Sequence, residues 1–480
     1  MLLPSGFLKI LKKSGGCSFA SSLGLQSSFL SLGVRNLSLS TLSRSFREPS
    51  AIRRGYLPRI VSTAEEAVSC ITSNDVVFVQ TAACTPSSLL EALVARKDLK
   101  NIKLVHLHLE GNAPHMSTDI DISSFKARNL FCGANARKSV SEGRSEFVPI
   151  NLSEIPALFA SNLQIDVALI QVSPEDKHLM TSLGPSVDVT RAALSSAKKI
   201  IAMINPHVPR TFGDACVHYS QLDVVFPFST PLHVISPKSP SDVEGIIGKI
   251  VADQLVKDGA TLQLGIGSIP NAVLSHLTNH KDLSIWSEMI SDGVVDLIKD
   301  GVVNNANKPV HTGRSTASFA LGSQRLYSFL DDNCAIVFKC SSYVNEISRI
   351  ASMPKMTSIN SAIEIDIGGQ VVAESIGEYV YSGVGGAMDF TIGSGRAKNG
   401  VSIIAIPSTT SKGESRIVTH LKSGAGVVTP RAFVHNVVTE YGIAELHGKS
   451  LLERALSLIA IAHPSHKQVL IEEVKRRRLG

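Results

Sequence analysis

Short runs of β-branched and other apolar residues recur along the chain, each followed by a longer stretch with helical spacing. The runs are Asp75 to Gln80, Leu104 to Glu110, Val167 to Val172, Lys199 to Asn205, Thr261 to Leu264, Leu283 to Ser287 and Val401 to Pro407. Strands that are apolar throughout are buried on both faces, and alternation with helices supplies the cover they need. The pattern predicts an α/β protein with mainly parallel sheets. A Pro- and Ser-rich stretch, Ser229 to Ser241, separates two halves of like pattern, and such composition reads as a linker. Since 480 residues exceed what one core usually serves, two tandem open α/β domains are expected, over 48–240 and 241–480. The second half should open with an amphipathic helix from Ser241 to Lys257. Ser241 is its cap, and Val243, Ile246, Ile247, Ile250 and Val251 form its apolar face.

Charge changes the picture only at the beginning of the chain. The net charge is +6, but the first 47 residues carry six bases, twelve serines and no acid. The remainder holds 41 basic and 41 acidic residues, so no nucleic-acid footprint is left. Basic, Ser-rich and acid-free composition is that of a mitochondrial transit peptide, expected over 1–47, which places the mature protein in the matrix. Seven cysteines show neither a Cys-x-x-Cys pair nor zinc spacing, the usage of reduced structural thiols. No apolar run approaches the roughly 18 residues of a membrane span.

The densest chemical signal is Thr261 to Gly293, TLQLGIGSIPNAVLSHLTNHKDLSIWSEMISDG. A strand ends in Gly265-Ile266-Gly267, then Ser268 as cap and Pro270 in the first turn open a helix with Ala272, Val273 and Leu277 inward. Such a turn lets backbone approach a ligand closely, and the helix terminus favours an anion such as a phosphate. It departs from the dinucleotide fingerprint, because Pro270 occupies the third glycine position, which disfavours a nicotinamide enzyme. The next strand delivers Glu288 at its carboxyl end, where ligands bind in open α/β sheets. A glutamate ending a strand is more often a plain surface charge, so the neighbourhood has to decide.

The segments QLGIGSIPNAV, SEMISDGVVD, SGVGGAMDF, IPST with Lys412, and VTEYGIAEL resemble those of the acetyl-CoA hydrolase/transferase family. That family includes acetate:succinate and 4-hydroxybutyrate CoA-transferases. LFCGANARKSVSEGR, LSEIPALF, DVALIQVSPEDKH and NPHVPRTFGD are similar to family segments in the first half. The resemblance implies that Glu288 is the catalytic glutamate, forming a glutamyl-CoA thioester in a ping-pong exchange between short carboxylic acids. It also implies that the glycine loop Ser382 to Gly386, through Gly385 and Gly386, lines the oxyanion region. Gln263, Leu264, Gly265, Ile266, Gly267, Ile363, Gly386 and Lys412 fall where the family contacts CoA. Asn345 and Glu440 sit in segments that support the nucleophile.

The resemblance further implies CoA as substrate, no tightly bound cofactor or metal, and a homodimer. His106, His108 and Glu110 alternate as H-x-H-x-E and share a strand face, which by itself would admit a metal. Trp286 stands where a histidine is common in the family, and is expected to alter the acyl pocket. The preferred exchange is acetyl-CoA with succinate. The alternatives are 4-hydroxybutyrate transfer, acetyl-CoA hydrolysis, or a CoA-binding protein without catalysis, which would not require a nucleophile at Glu288.

Overall fold

A computed structural model describes residues 47–236, 239–265 and 267–479. The expected transit peptide therefore lies outside the described residues, apart from Arg47, and so do Ile266 and Cys17. Among the described residues, Cys70, Cys84, Cys132, Cys216, Cys334 and Cys340 are free thiols, and no helix is long and apolar enough to cross a membrane.

The first half builds an eight-stranded sheet in the spatial order Arg59–Ile60, Val224–Pro227, Lys199–Ile204, Val167–Val172, Val76–Val79, Ile102–His106, Phe125–Asn129, Glu146–Phe147. Every pairing in it is parallel. The second half builds a six-stranded sheet, ordered Ser284–Ile285, Thr261–Leu264, Met356–Ser361, Val401–Ala405, Asn436–Thr439, Gly442–Glu445. It is parallel except for its last pair. The α/β class with mainly parallel sheets is as the apolar runs predict. Central strands such as Val167–Val172 are buried at every residue, which explains why they read as continuous rather than alternating.

The halves share one apolar core. Phe78, Phe159 and Ile170 belong to the same buried cluster as Leu262, Val273 and Ile285. A small parallel sheet pairs Phe212–Gly213 with Ile336–Phe338 and Ser315–Ala317. Between the large sheets, Leu232 is buried, and His233 and Ile235 donate to the carbonyls of Ala83 and Gly322, so this Pro/Ser-rich stretch is tied down.

Two local expectations need correction. The helix after Ser241 is capped as predicted, with Ser241 and Glu244 forming a reciprocal capping box. It runs only over Asp242–Ile250 and then widens into a π turn, Val251–Leu255. Val243 and Ile246 are 36% and 48% exposed, whereas Ile247, Gly248, Val251 and Ala252 are buried. The reason is Gly248: a Cβ there would come within 2.7 Å of Ala272, so close approach at this glycine, with Ile247 and Val251 beside it, seats the helix on its neighbour. That neighbour is Ser268–Ser275, whose cap is Gly267 rather than Ser268. The Ser268 hydroxyl is used elsewhere, donating to Glu244 and tying the two helices together.

Candidate active site

Glu288 lies between two short strands, Ser284–Ile285 and Met289–Ile290. Its carbonyl accepts the amides of Ser318 at 2.9 Å and Phe319 at 3.0 Å. The preceding residue, Ser287, has a buried hydroxyl that donates to the Leu264 carbonyl at 3.1 Å and accepts the Leu264 amide at 3.2 Å. One hydroxyl thus ties the Gly265–Gly267 turn to the backbone beside Glu288. Among the described residues no atom beyond the chain neighbours lies within 4 Å of where a Cβ on Gly265 or Gly267 would stand, and Gly267 holds a φ of 129°, a conformation that favours glycine.

Three polar groups converge on the Glu288 carboxyl. The Asn345 side-chain amide donates to Glu288 Oε2 and to Asp389 Oδ2, at 3.3 Å each. Gly386 packs directly against the carboxyl, with its backbone N–H favouring the charged form, and the Asp389 charge faces it. Gly386 caps the helix Ala387–Arg396, so the carboxylate also meets the positive end of a helix. Asp389, in the first turn of that helix, accepts the Ser153 hydroxyl at 2.8 Å and its amide at 3.3 Å. Ser153 comes from the first half of the chain, so both halves complete the site.

The electrostatics follow from burial. Glu288 is half-buried, and desolvation by the dense protein around its carboxyl pushes its pKa up to about 7, with Asp389 adding to the rise. Asn345 and the Gly386 amide oppose it. Burial likewise pushes Asp389 up to about 6. Two carboxyls raised together, sharing one amide, titrate as a pair. A carboxylate that is desolvated but reachable is a stronger nucleophile than one bathed in water.

The glycines of the 382–386 loop each answer a different contact. A Cβ on Gly383 would meet the Phe131 ring at 2.6 Å, and Gly385 has a φ of +60°. The Gly385 carbonyl accepts the Leu152 amide at 2.9 Å, and Gly386 leaves room for Glu288 and Asn345. Asn345 joins Glu288 as the sequence reading anticipated. Glu440 does not: it accepts the Ser408 amide at 2.9 Å and hydroxyl at 2.5 Å, bracing the IPST loop instead.

Gln263 is buried with its side chain engaged by the Ile359 amide and Asn360, so its backbone rather than its carboxamide fronts the glycine turn. Leu264 is buried, Ile363 half-buried and Lys412 exposed. The Ile363 carbonyl accepts from Arg416 at 3.1 Å.

Trp286 does not line the site. It is fully buried and donates to the Val344 carbonyl, contrary to the expectation that it shapes the acyl pocket. His106 pairs with His115 at 3.0 Å, and among the described residues no three ligand-type side chains cluster. Asp389 and Ser153 were missed by the sequence reading. Both lie inside quoted segments, and Asp389 stands three residues after Gly386, where a helix's first turn favours an acid.

Family models for the acetyl-CoA hydrolase/transferase N-terminal and C-terminal domains match residues 47–233 and 322–474. The chain belongs to the acetyl-CoA hydrolase/transferase family. It is 48% identical over 430 residues to a succinyl-CoA:acetate/propanoyl-CoA:succinate CoA transferase of Fasciola hepatica, covering 88% of this chain and 89% of the relative. A 4-hydroxybutyrate coenzyme A transferase of Clostridium kluyveri is 44% identical over 425 residues, covering 88% and 98%. Among solved structures, RipA from Yersinia pestis superposes with a TM-score of 0.82 at 34% identity, covering 88% of this chain and 98% of that one. Within the acetyl-CoA hydrolase/transferase family these relatives make the chain an enzyme of the CoA-transferase type.

Proposed function

We propose that this CoA-transferase moves CoA between short-chain carboxylic acids through a covalent intermediate on Glu288, with acetyl-CoA and succinate as its preferred pair. The observation that carries the reading is the Glu288 carboxylate held by the Asn345 carboxamide and packed against Gly386. Ionised Glu288 attacks the acyl-CoA carbonyl carbon, the C–S bond breaks, and CoA leaves as thiolate, giving a mixed anhydride. The thiolate then adds to the glutamyl carbonyl, and the anhydride C–O bond breaks to release the first acid. A second carboxylate reverses both steps and departs as the new thioester.

Addition to the glutamyl carbon places negative charge on a Glu288 oxygen. Asn345 already bonds that carboxyl and the Gly386 N–H stands beside it, so they are placed to hold this oxyanion. The Gly265–Gly267 turn, with its open backbone face, suits the approach of CoA, as do Ile363 and Lys412 by family position. CoA enters as substrate. Assembly as a homodimer and residence in the mitochondrial matrix, directed by residues 1–47, complete the proposal. Fusing residues 1–47 to a fluorescent protein tests the address: diffuse cytosolic signal would contradict it.

Initial rates with acetyl-CoA against propionate, butyrate, succinate and 4-hydroxybutyrate test the transfer. Parallel double-reciprocal lines and the highest kcat/KM with succinate are expected. Intersecting lines would exclude the covalent route, and the 44% identical relative makes 4-hydroxybutyrate the acceptor to beat. Hydrolysis would show as loss of acetyl-CoA without any acceptor.

A further inference from the structure

The chain's single tryptophan lies two residues before Glu288, and its polar atom is committed. Trp286 Nε1 donates to the Val344 carbonyl at 2.9 Å in a buried setting. Val344 ends the short helix Ser341–Val344, and Asn345 is its C-cap, its amide bonded to the Ser341 carbonyl at 2.8 Å. The indole also shares a buried cluster with Val344, Ile350, Met353, Met356 and Phe390, and Phe390 follows Asp389 in the chain. One side chain therefore sits under all three segments that deliver Glu288, Asn345 and Asp389. A buried indole N–H left without an acceptor forfeits its hydration with nothing in return, which makes the Val344 carbonyl a firm anchor.

We propose that Trp286 is a positioning residue for the transfer, its indole N–H holding the Val344 carbonyl so that the Asn345 carboxamide stays on Glu288. This rests on Glu288 being the nucleophile. It gives a reason for tryptophan at this position that an apolar filler of the same size would not satisfy.

The charged and titratable surroundings are defined. Glu288 faces Asp389, with Glu154 acting on Asp389 from beyond it. Behind the indole stand Lys308, whose Nζ is 5.5 Å from the ring, His311 and Tyr343. Lys339 and Arg349 lie over the Tyr343 ring. Burial pulls Lys308 down to about 7, and it donates to the Ile285 carbonyl and the Thr316 hydroxyl.

The test removes the donor. The full chain made with benzothienylalanine in place of its single tryptophan lacks the N–H and keeps the shape, and Trp286→Phe lacks it in a smaller ring. Because the Asn345 bond favours the ionised form of Glu288, its loss should raise the midpoint of the acid limb of kcat/KM by about half a unit or more. The alkaline plateau should fall by about tenfold. Asn345→Ala should show the same shift, and combining it with Trp286→Phe should add none. Met353→Ala, which opens the same cluster without touching a donor, should lower thermal stability and leave the midpoint in place.

An unshifted midpoint in the benzothienyl protein overturns the proposal, as does an equal shift in Met353→Ala. Glu288→Gln in the same series separates the two levels. Full activity there defeats the nucleophile assignment and the indole's role with it, whereas an inactive Glu288→Gln beside unshifted donor-less proteins defeats the indole's role alone.

Discussion

Gly386 is glycine because Glu288 occupies the place its side chain would take: a Cβ there would lie 1.9 Å from Glu288 Oε2. The φ of Gly386 is −99°, which any residue can adopt, so the requirement comes from the carboxylate and not from the backbone. Gly386→Ala should therefore fold, with a thermal midpoint within a few degrees of the parent, and lose transferase activity on the order of 10³-fold. Parallel melting and rate measurements check this. A fully active alanine variant would mean that Glu288 does not rest against this amide.

The raised carboxyl sets the pH dependence. Glu288 must be ionised to attack, and burial holds its pKa up to about 7, so kcat/KM should rise through a midpoint near 7 and level off above it. Asp389→Asn removes the facing charge that contributes to the rise, so its acid limb should move to lower pH. A limb near 4.5 in the parent enzyme would show a solvated carboxylate instead.

The same burial costs stability on the alkaline side. A folded-state pKa above the unfolded value means that the folded protein binds the proton more tightly. This contribution is present in full below about 4.5 and is lost as pH rises through about 7. Glu288→Gln keeps an acceptor for Asn345 and Gly386 and removes the charge. It should stabilise the protein at pH 8 by about 1–3 kcal/mol and by much less at pH 5, as read by denaturant unfolding at both. Equal effects at the two values would exclude a desolvated carboxylate.

Glu440 predicts a different kind of defect. It holds the Ser408 amide and hydroxyl, at the foot of the loop that carries Lys412. Glu440→Ala should loosen this loop and raise KM for the CoA thioester several-fold, with kcat changed less than twofold. A fall in kcat with unchanged KM would place Glu440 at the chemistry instead.

Much of the fold was legible because buried parallel strands write themselves as unbroken apolar runs. Thr261 to Leu264 and Val167 to Val172 coincide with the observed strands. Leu283 to Ser287 was a strand in pattern, but only Ser284–Ile285 pairs regularly, because the chain then turns its backbone groups toward Thr316, Ser318 and Phe319. The helix after Ser241 was misjudged in its face. Periodicity counted the branched residues Val243 and Ile246, and close approach through Gly248 decided the packing.

The site was legible as to which residues meet, as for Glu288, Asn345 and the glycine loop. It was illegible where chain-distant groups meet. Nothing along the sequence brings Ser153 to Asp389, more than two hundred positions away, and nothing in composition reveals that Trp286 faces Val344 rather than a substrate.

Covalent capture is the most direct measurement of the central claim. The protein is incubated with acetyl-CoA alone, reduced with borohydride or heated to cleave at an activated glutamyl group, and digested for mass spectrometry. Reduction or cleavage confined to Glu288, absent from Glu288→Gln and reversed by adding succinate before trapping, is the predicted result. An unmodified Glu288 in protein that still exchanges acyl groups, or a label on any other side chain, would contradict the account.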